Sequence, residues 1–217
     1  MKPFMHLIAA AAVTAAFSTS VIAQPAASAE APDVLVKRIS AEVIDSVKND
    51  KAIQSGDRSK IMGLVNTKIL PYVDAEKMTQ QAAGRHWRTA TPDQQKRLTT
   101  EFRNLLVYTY SGALSTIKNE TVEFKPMRAA ATDTDVEVRS QVNVARGEPI
   151  TLNYRLAKEN NNGWKIYDVN ILGAWLVETY KSTFNSEISK SGVDGLIKRL
   201  ADRNAQLASK PLAAPGK

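Results

Sequence analysis

Few residue types in this chain can do chemistry. Its 217 residues include no cysteine and two histidines, His6 and His86. Thiolate nucleophiles, structural disulfides and cysteine-based metal sites are therefore excluded, and imidazole acid–base work has at most two carriers. His86 lies within Gly84-Arg85-His86-Trp87-Arg88. The flanking arginines oppose its protonation and no acid adjoins it, so it reads as a surface or helix-start residue rather than a general base. Asp133, Asp135 and Glu137 suggest a carboxylate cluster. At alternate positions, however, they share the polar face of a strand and read as a solvated edge. No HExxH, GxSxG, phosphate-loop or dinucleotide-binding pattern occurs, and no set of metal ligands is visible.

The formal net charge is +7. The cations are scattered singly, as at Lys37, Arg38, Arg58, Lys60, Arg85, Arg88, Lys96, Arg97 and Arg103. None forms the basic stripe with interleaved aromatics that strand-binding modules use, so a nucleic acid partner is not expected. A diffuse basic exterior suits anionic headgroups or acidic partner surfaces.

The first 23 residues combine Lys2, an apolar run from Leu7 to Phe17 and a Val21-Ile22-Ala23 ending. That is the pattern of a secretory signal peptide cleaved after Ala23. The run is shorter than the roughly 18 residues of a membrane span, and no cysteine follows it to carry a lipid anchor. Removing it takes away one charge, Lys2, leaving a net charge of +6 with His86 as the sole histidine. The expected product is exported and free of disulfides, so its stability rests on its core. Residues 24–32 read as a flexible lead-in, 33–208 as one domain and 209–217 as a frayed tail.

Within the domain, Leu35, Ile39, Val43 and Val47 recur at four-residue spacing and predict a helix opened by Asp33. Ile61, Leu64, Val65 and Ile69 predict a second helix, ended by Pro71. A short helix opens at Asp74 and closes at Gly84. Thr91-Pro92-Asp93-Gln94 has the form of a capping box with proline in the first turn, and the helix it opens runs to about Ile117. The apolar period then changes from 3.6 to 2. Val136, Val138, Val142 and Val144 alternate with polar residues, as do Ile150, Leu152, Tyr154 and Leu156. Arg146-Gly147-Glu148-Pro149 joins them as a hairpin. Asn160 to Gly163 make a second turn, Trp164–Ile171 a third strand and Thr121–Lys125 a fourth. Two further helical stripes follow, separated by Gly192 and Gly195. The prediction is an α+β fold: an antiparallel sheet of about four strands covered on one side by helices. The apolar faces are wide, with runs such as Leu105-Leu106-Val107-Tyr108. They make either a filled core or the lining of an apolar cavity, and periodicity does not separate the two.

Specific strings carry a resemblance. Ile69-Leu70-Pro71-Tyr72-Val73-Asp74, Arg85 to Gln94, Phe102 to Tyr110, Gly163 to Val169, Leu176 to Tyr180 and Gly192 to Leu196 together resemble the MlaC family. These are the toluene-tolerance proteins, periplasmic phospholipid carriers of a lipid-asymmetry pathway. The likeness spans about Val34 to Asn204. It implies an antiparallel sheet and helices enclosing an apolar pocket for the acyl tails of a phospholipid, with no catalysis and no cofactor beyond this cargo. It also implies an MlaA-type outer-membrane lipoprotein–porin complex and an MlaD-type subunit of an inner-membrane ABC transporter as partners of a monomer. Leu172-Gly173-Ala174-Trp175 departs from the Glu-Gly-Val-Ser-like string of many members, and its indole would fill or line the pocket.

On this reading the pocket residues are Val138, Val142, Leu152, Tyr154, Ile166 and Val169 from the sheet, with Leu105, Tyr108, Tyr110 and Trp175 beside them. Arg85 and Arg88 are the headgroup or docking candidates. Two other classes stay open: an enzyme for a small apolar substrate, with Asp168 or His86 essential, and an envelope interaction protein with a filled core.

Overall fold

The computed structural model describes residues 30–127, 129–130, 132–144, 147–159 and 163–212. The signal peptide, most of the lead-in, part of both sheet turns and the end of the tail lie outside these residues.

Helix α1 (Pro32–Asn49) buries Leu35, Val36, Ile39, Val43 and Val47 along one stripe. It starts two residues earlier than predicted, with Ala31 at the N-cap position and Pro32 in the first turn. Asp33 does not cap it but pairs with Lys37 one turn on. Asp50 and Asp57 do cap, accepting backbone N–H bonds at the starts of α2 (Lys51–Gln54) and α3 (Arg58–Leu64). Beyond α3 the chain widens into a π-helical turn, Val65–Ile69, then tightens into a 3₁₀ turn, Leu70–Tyr72, at Pro71. Asp74 opens α4 (Ala75–Ala83). The box of Thr91 and Gln94 is complete at the start of α5 (Pro92–Tyr110), which passes into a 3₁₀ stretch over Ser111–Thr116.

The sheet comprises β1 (Thr121–Phe124), β2 (Asp135–Val138), β3 (Ser140–Asn143), β4 (Ile150–Glu159), β5 (Gly163–Ile171) and β6 (Ala174–Trp175). All pairings are antiparallel, in the order β1-β3-β4-β5-β6, with β2 also on β4. The predicted hairpin is present, but its first strand is broken at Arg139. There the Arg139 carbonyl accepts from Lys125 of the neighbouring segment, and the Ser140 N–H donates to the Asn153 side chain. The register along β4 is unchanged across the break, Val138 facing Tyr154 and Val142 facing Ile150.

Helix α6 (Leu176–Ala208) is kinked at Gly192, whose φ of 72° and ψ of 179° belong to a region that only glycine occupies at low cost. The predicted pair of helices is thus one long element with a corner, and Gly195 lies within its second segment.

Buried residues form two separate clusters. One joins α4, α5 and α6, with Phe102 edge-on to both Phe184 and Tyr180 at centroid distances of 4.9 and 5.0 Å. The other joins α1, α2 and α3 to β2 and β4. Leu156 and Ala157 are adjacent on β4 yet belong to different clusters. Successive strand residues point to opposite faces, so this part of the sheet is buried on both sides. Cover on one side alone, the expectation from its alternation, holds only toward the β1–β3 edge.

Candidate functional site

A cavity of about 210 Å³ lies at the seam between the two clusters. The turns after α3 contribute Val65, Ile69 and Leu70, and α4 contributes Ala75 and Met78. Phe102, Arg103, Leu106, Val107 and Tyr110 come from α5, followed by Ser111 and Leu114. Ile166, Val169 and Ile171 of β5, with Val73 and Leu176, complete the wall. Met78 and Phe102 belong to one core and Ile166 to the other, so the cavity is the space neither core fills.

Strict alternation would put Ile166 and Val169 on opposite faces of β5. In the register, Leu156 faces Ile166 and Arg155 faces Asp168, which leaves Tyr167 without a partner. This bulge turns Ile166 to the same side as Val169 and Ile171, the re-aiming that bulges achieve beside binding sites. Nearby, Val73 bridges Ile166, the Asp74 N–H donates to the Ile166 carbonyl at 2.8 Å, and Lys165 Nζ donates to the Pro71 carbonyl. The turn before α4 is thereby stitched to the cavity strand.

The lining is apolar apart from three side chains. Ser111 Oγ is satisfied by the Val107 carbonyl. Tyr110 and Tyr180 are neighbours, and burial raises the pKa of both phenols. Arg103 is exposed, so it marks where the cavity meets water.

On the opposite face of β5, Asp168 is fully buried. Its Oδ1 accepts the N–H groups of Val169 and Val177 at 2.9 and 3.0 Å, and its Oδ2 lies 3.5 Å from Arg155 Nη1. Desolvation by burial holds its carboxyl above the usual aspartate range. It fastens the first turn of α6 to the sheet. His86 Nε2 lies 3.0 Å from Asn185 Oδ1 on a separate surface, so these two residues are not brought to one place. Asp135 is not merely solvated: it accepts from the Tyr167 hydroxyl at 2.7 Å and pairs with Lys77.

A family model described as MlaC protein matches residues 37–202. The chain belongs to the MlaC family. It is similar to the intermembrane phospholipid transport system binding protein MlaC of Haemophilus influenzae, with 22% identity over 202 residues and 92% of each chain covered. It also matches toluene tolerance protein ttg2D of Pseudomonas putida, 24% identical over 168 residues, covering 76% of this chain and 77% of that one. Among solved structures it resembles the phospholipid-binding protein from Ralstonia solanacearum, determined in complex with a phospholipid. That match has 49% identity and a TM-score of 0.76, covering 82% of this chain and 98% of the other.

In this MlaC-family chain, three of the residues expected at the pocket line the cavity: Tyr110, Ile166 and Val169. The others lie elsewhere. Leu105 and Val138 are packed inside the two cores. Tyr108 is covered by Arg58, whose Cζ sits 4.9 Å from its ring centroid. Val142 pairs with Val122 and Ile150, and Leu152 faces Ile171 across strands. Tyr154 packs against the second core, its hydroxyl pushed up to about 12 by burial. Trp175 is held under Arg155 and neither fills nor lines the cavity. Arg85 and Arg88 are exposed on the 3₁₀ turn Gly84–Thr89, beside shallow surface depressions and away from the cavity wall. Sequence reasoning missed Phe102, Arg103, Leu106 and Val107. The signal was there: Phe102-Leu106-Tyr110 and Arg103-Val107-Ser111 are adjacent ridges of α5 at four-residue spacing, giving an apolar face wider than one helix contact needs.

Proposed function

We propose that this chain is a periplasmic phospholipid carrier that buries acyl chains in the cavity at the seam of its two cores. The observation that carries this reading is the seam itself: an almost wholly apolar space that well-packed cores would otherwise close. The phospholipid held by the Ralstonia solanacearum relative supports it. Residues 1–23 act as the export signal, and the protein works as a monomer with no cofactor, the lipid being its cargo.

Burying hydrocarbon contributes about 0.8 kcal/mol per CH₂, so two acyl chains contribute on the order of 20 kcal/mol as an upper figure. Release into water is then negligibly slow. Transfer between outer and inner membranes needs a docked partner, an MlaA-type complex on one side and an MlaD-type subunit on the other. Different affinity in docked and free states suffices to drive it. The cavity volume of about 210 Å³ is below the roughly 300–1,000 Å³ of small-molecule sites. Taking up two chains parts the seam, which leaves the packing inside each core intact.

The test is to purify the protein from the periplasm, extract it with organic solvent and identify the lipid by mass spectrometry. Intact phospholipid near one per chain is expected. A protein that comes out empty and takes no lipid from vesicles overturns the reading.

A further inference from the structure

The cavity has one charged residue on its wall, Arg103. Its nearest helical neighbours, Thr99, Thr100, Leu106 and Val107, offer no carboxylate at the spacings that would neutralise it. Among the described residues it joins no ion pair, and its recorded hydrogen bond goes to the adjacent Asn104 at 3.2 Å. Several other arginines are engaged: Arg38 by Glu30 and Glu42, Arg97 by Asp93 and Asp194, Arg155 by Asp168, and Arg199 by Glu187. Arg103 is exposed while its flanking ridge residues Phe102, Leu106 and Val107 face the cavity. Its stem therefore runs along apolar wall and its guanidinium stands at the water boundary.

A glycerophospholipid has its phosphate one glycerol away from the start of its acyl chains. When the chains lie among Leu106, Val107 and Val169, that group comes to the same boundary. A guanidinium presents paired, fixed N–H donors that match two phosphate oxygens, a geometry an ammonium lacks. We propose that Arg103 holds the phosphodiester of the bound lipid at the cavity mouth and so makes the site selective for phospholipids over neutral lipids with the same tails. The proposal rests on the phospholipid-carrier reading and names which residue recognises the headgroup. Arg85 and Arg88, set on another surface, take no part in it.

The test compares wild type with Arg103→Gln and Arg103→Lys in taking up two lipids of identical tails, a phosphatidylglycerol and a diacylglycerol, from vesicles. Wild type favours the phosphatidylglycerol. Arg103→Gln loses about tenfold in affinity for it while diacylglycerol uptake is unchanged, and Arg103→Lys falls between. Excess inorganic phosphate leaves the wild-type preference intact. Equal loss for both lipids, or no loss, overturns the proposal. So does abolition of the preference by inorganic phosphate, which would make this a free-anion site. If wild type takes up neither lipid, the carrier reading itself has failed. Arg103 is exposed and Gln and Lys both keep an aliphatic stem along the wall, so both variants are expected to fold, which far-UV circular dichroism and thermal unfolding check.

Discussion

Arg155 sits over the indole of Trp175, its Cζ 3.9 Å from the ring centroid, while its Nη1 lies 3.5 Å from Oδ2 of the buried Asp168. This pair ties β4 to the short strand β6. A residue that the sequence suggested for the pocket is thus a clasp on the opposite side of the sheet. Trp175→Ala is expected to cost about 1–3 kcal/mol, from a lost cation–π contact and lost apolar burial. Bound lipid should stay unchanged. Denaturant unfolding and lipid mass spectrometry on the same preparation check both halves.

Asp168 gives a prediction with a defined pH dependence. Asp168→Ala leaves the N–H groups of Val169 and Val177 without their acceptor, a loss of about 2–6 kcal/mol at roughly 1–3 per stranded donor. Asp168→Asn keeps an oxygen for both and costs less. The folded protein holds the Asp168 proton more tightly than the unfolded chain does, because its pKa is raised. Its contribution to stability is therefore fully present below the ordinary aspartate pKa of about 3.9 and is lost as pH climbs through the folded value. The stability difference, wild type minus Asp168→Asn, should fall as pH rises from about 4 toward neutrality. Urea titrations at several pH values measure it, and a difference that grows with pH would show the assignment to be wrong.

The β5–β6 turn carries removable strain. Leu172 has φ of 54° and is 71% exposed, followed by Gly173 at 89°. Two positive φ angles in a two-residue hairpin loop suit Asn-Gly, whereas leucine there costs about 1–2 kcal/mol. Leu172→Asn is expected to stabilise the fold by about 1 kcal/mol, a rise of roughly 2–4 °C in Tm for a chain of this size. Thermal unfolding decides it.

Filling the cavity should separate binding from folding. Val107→Trp places an indole in existing space, so stability should change by no more than about 1–2 kcal/mol. Lipid recovered with the protein should drop several-fold. Unaltered lipid in a folded Val107→Trp protein would move the binding site elsewhere.

Much of the local structure was legible in advance. The Thr91–Gln94 box, the cap at Asp74 and the stripe from Leu35 to Val47 follow from hydrogen-bonding chemistry and period within a few residues, and the structure contains all three. The same holds for the register of the hairpin, because a slip of one residue would turn Val136 and Val138 out of the core. Of the candidate cavity, Tyr110, Ile166 and Val169 were among the residues expected from the sequence, but that Ile166 and Val169 share a face depends on the bulge at Tyr167.

The rest needed contacts between segments far apart in sequence. Nothing local marks Tyr167 as a bulge, Arg139 as a strand break or Arg103 as a residue at a cavity mouth. Periodicity records that a side chain leaves water, without recording what it meets. The sequence alone determined the α+β class, most helix starts and ends, the hairpin and the family, since each is written in short-range spacing or short strings. Only the tertiary structure decided that the buried residues divide into two cores, because that depends on how α1–α3 and α4–α6 approach the sheet from different sides. The cavity exists for that reason: it is the gap left where the two packings meet.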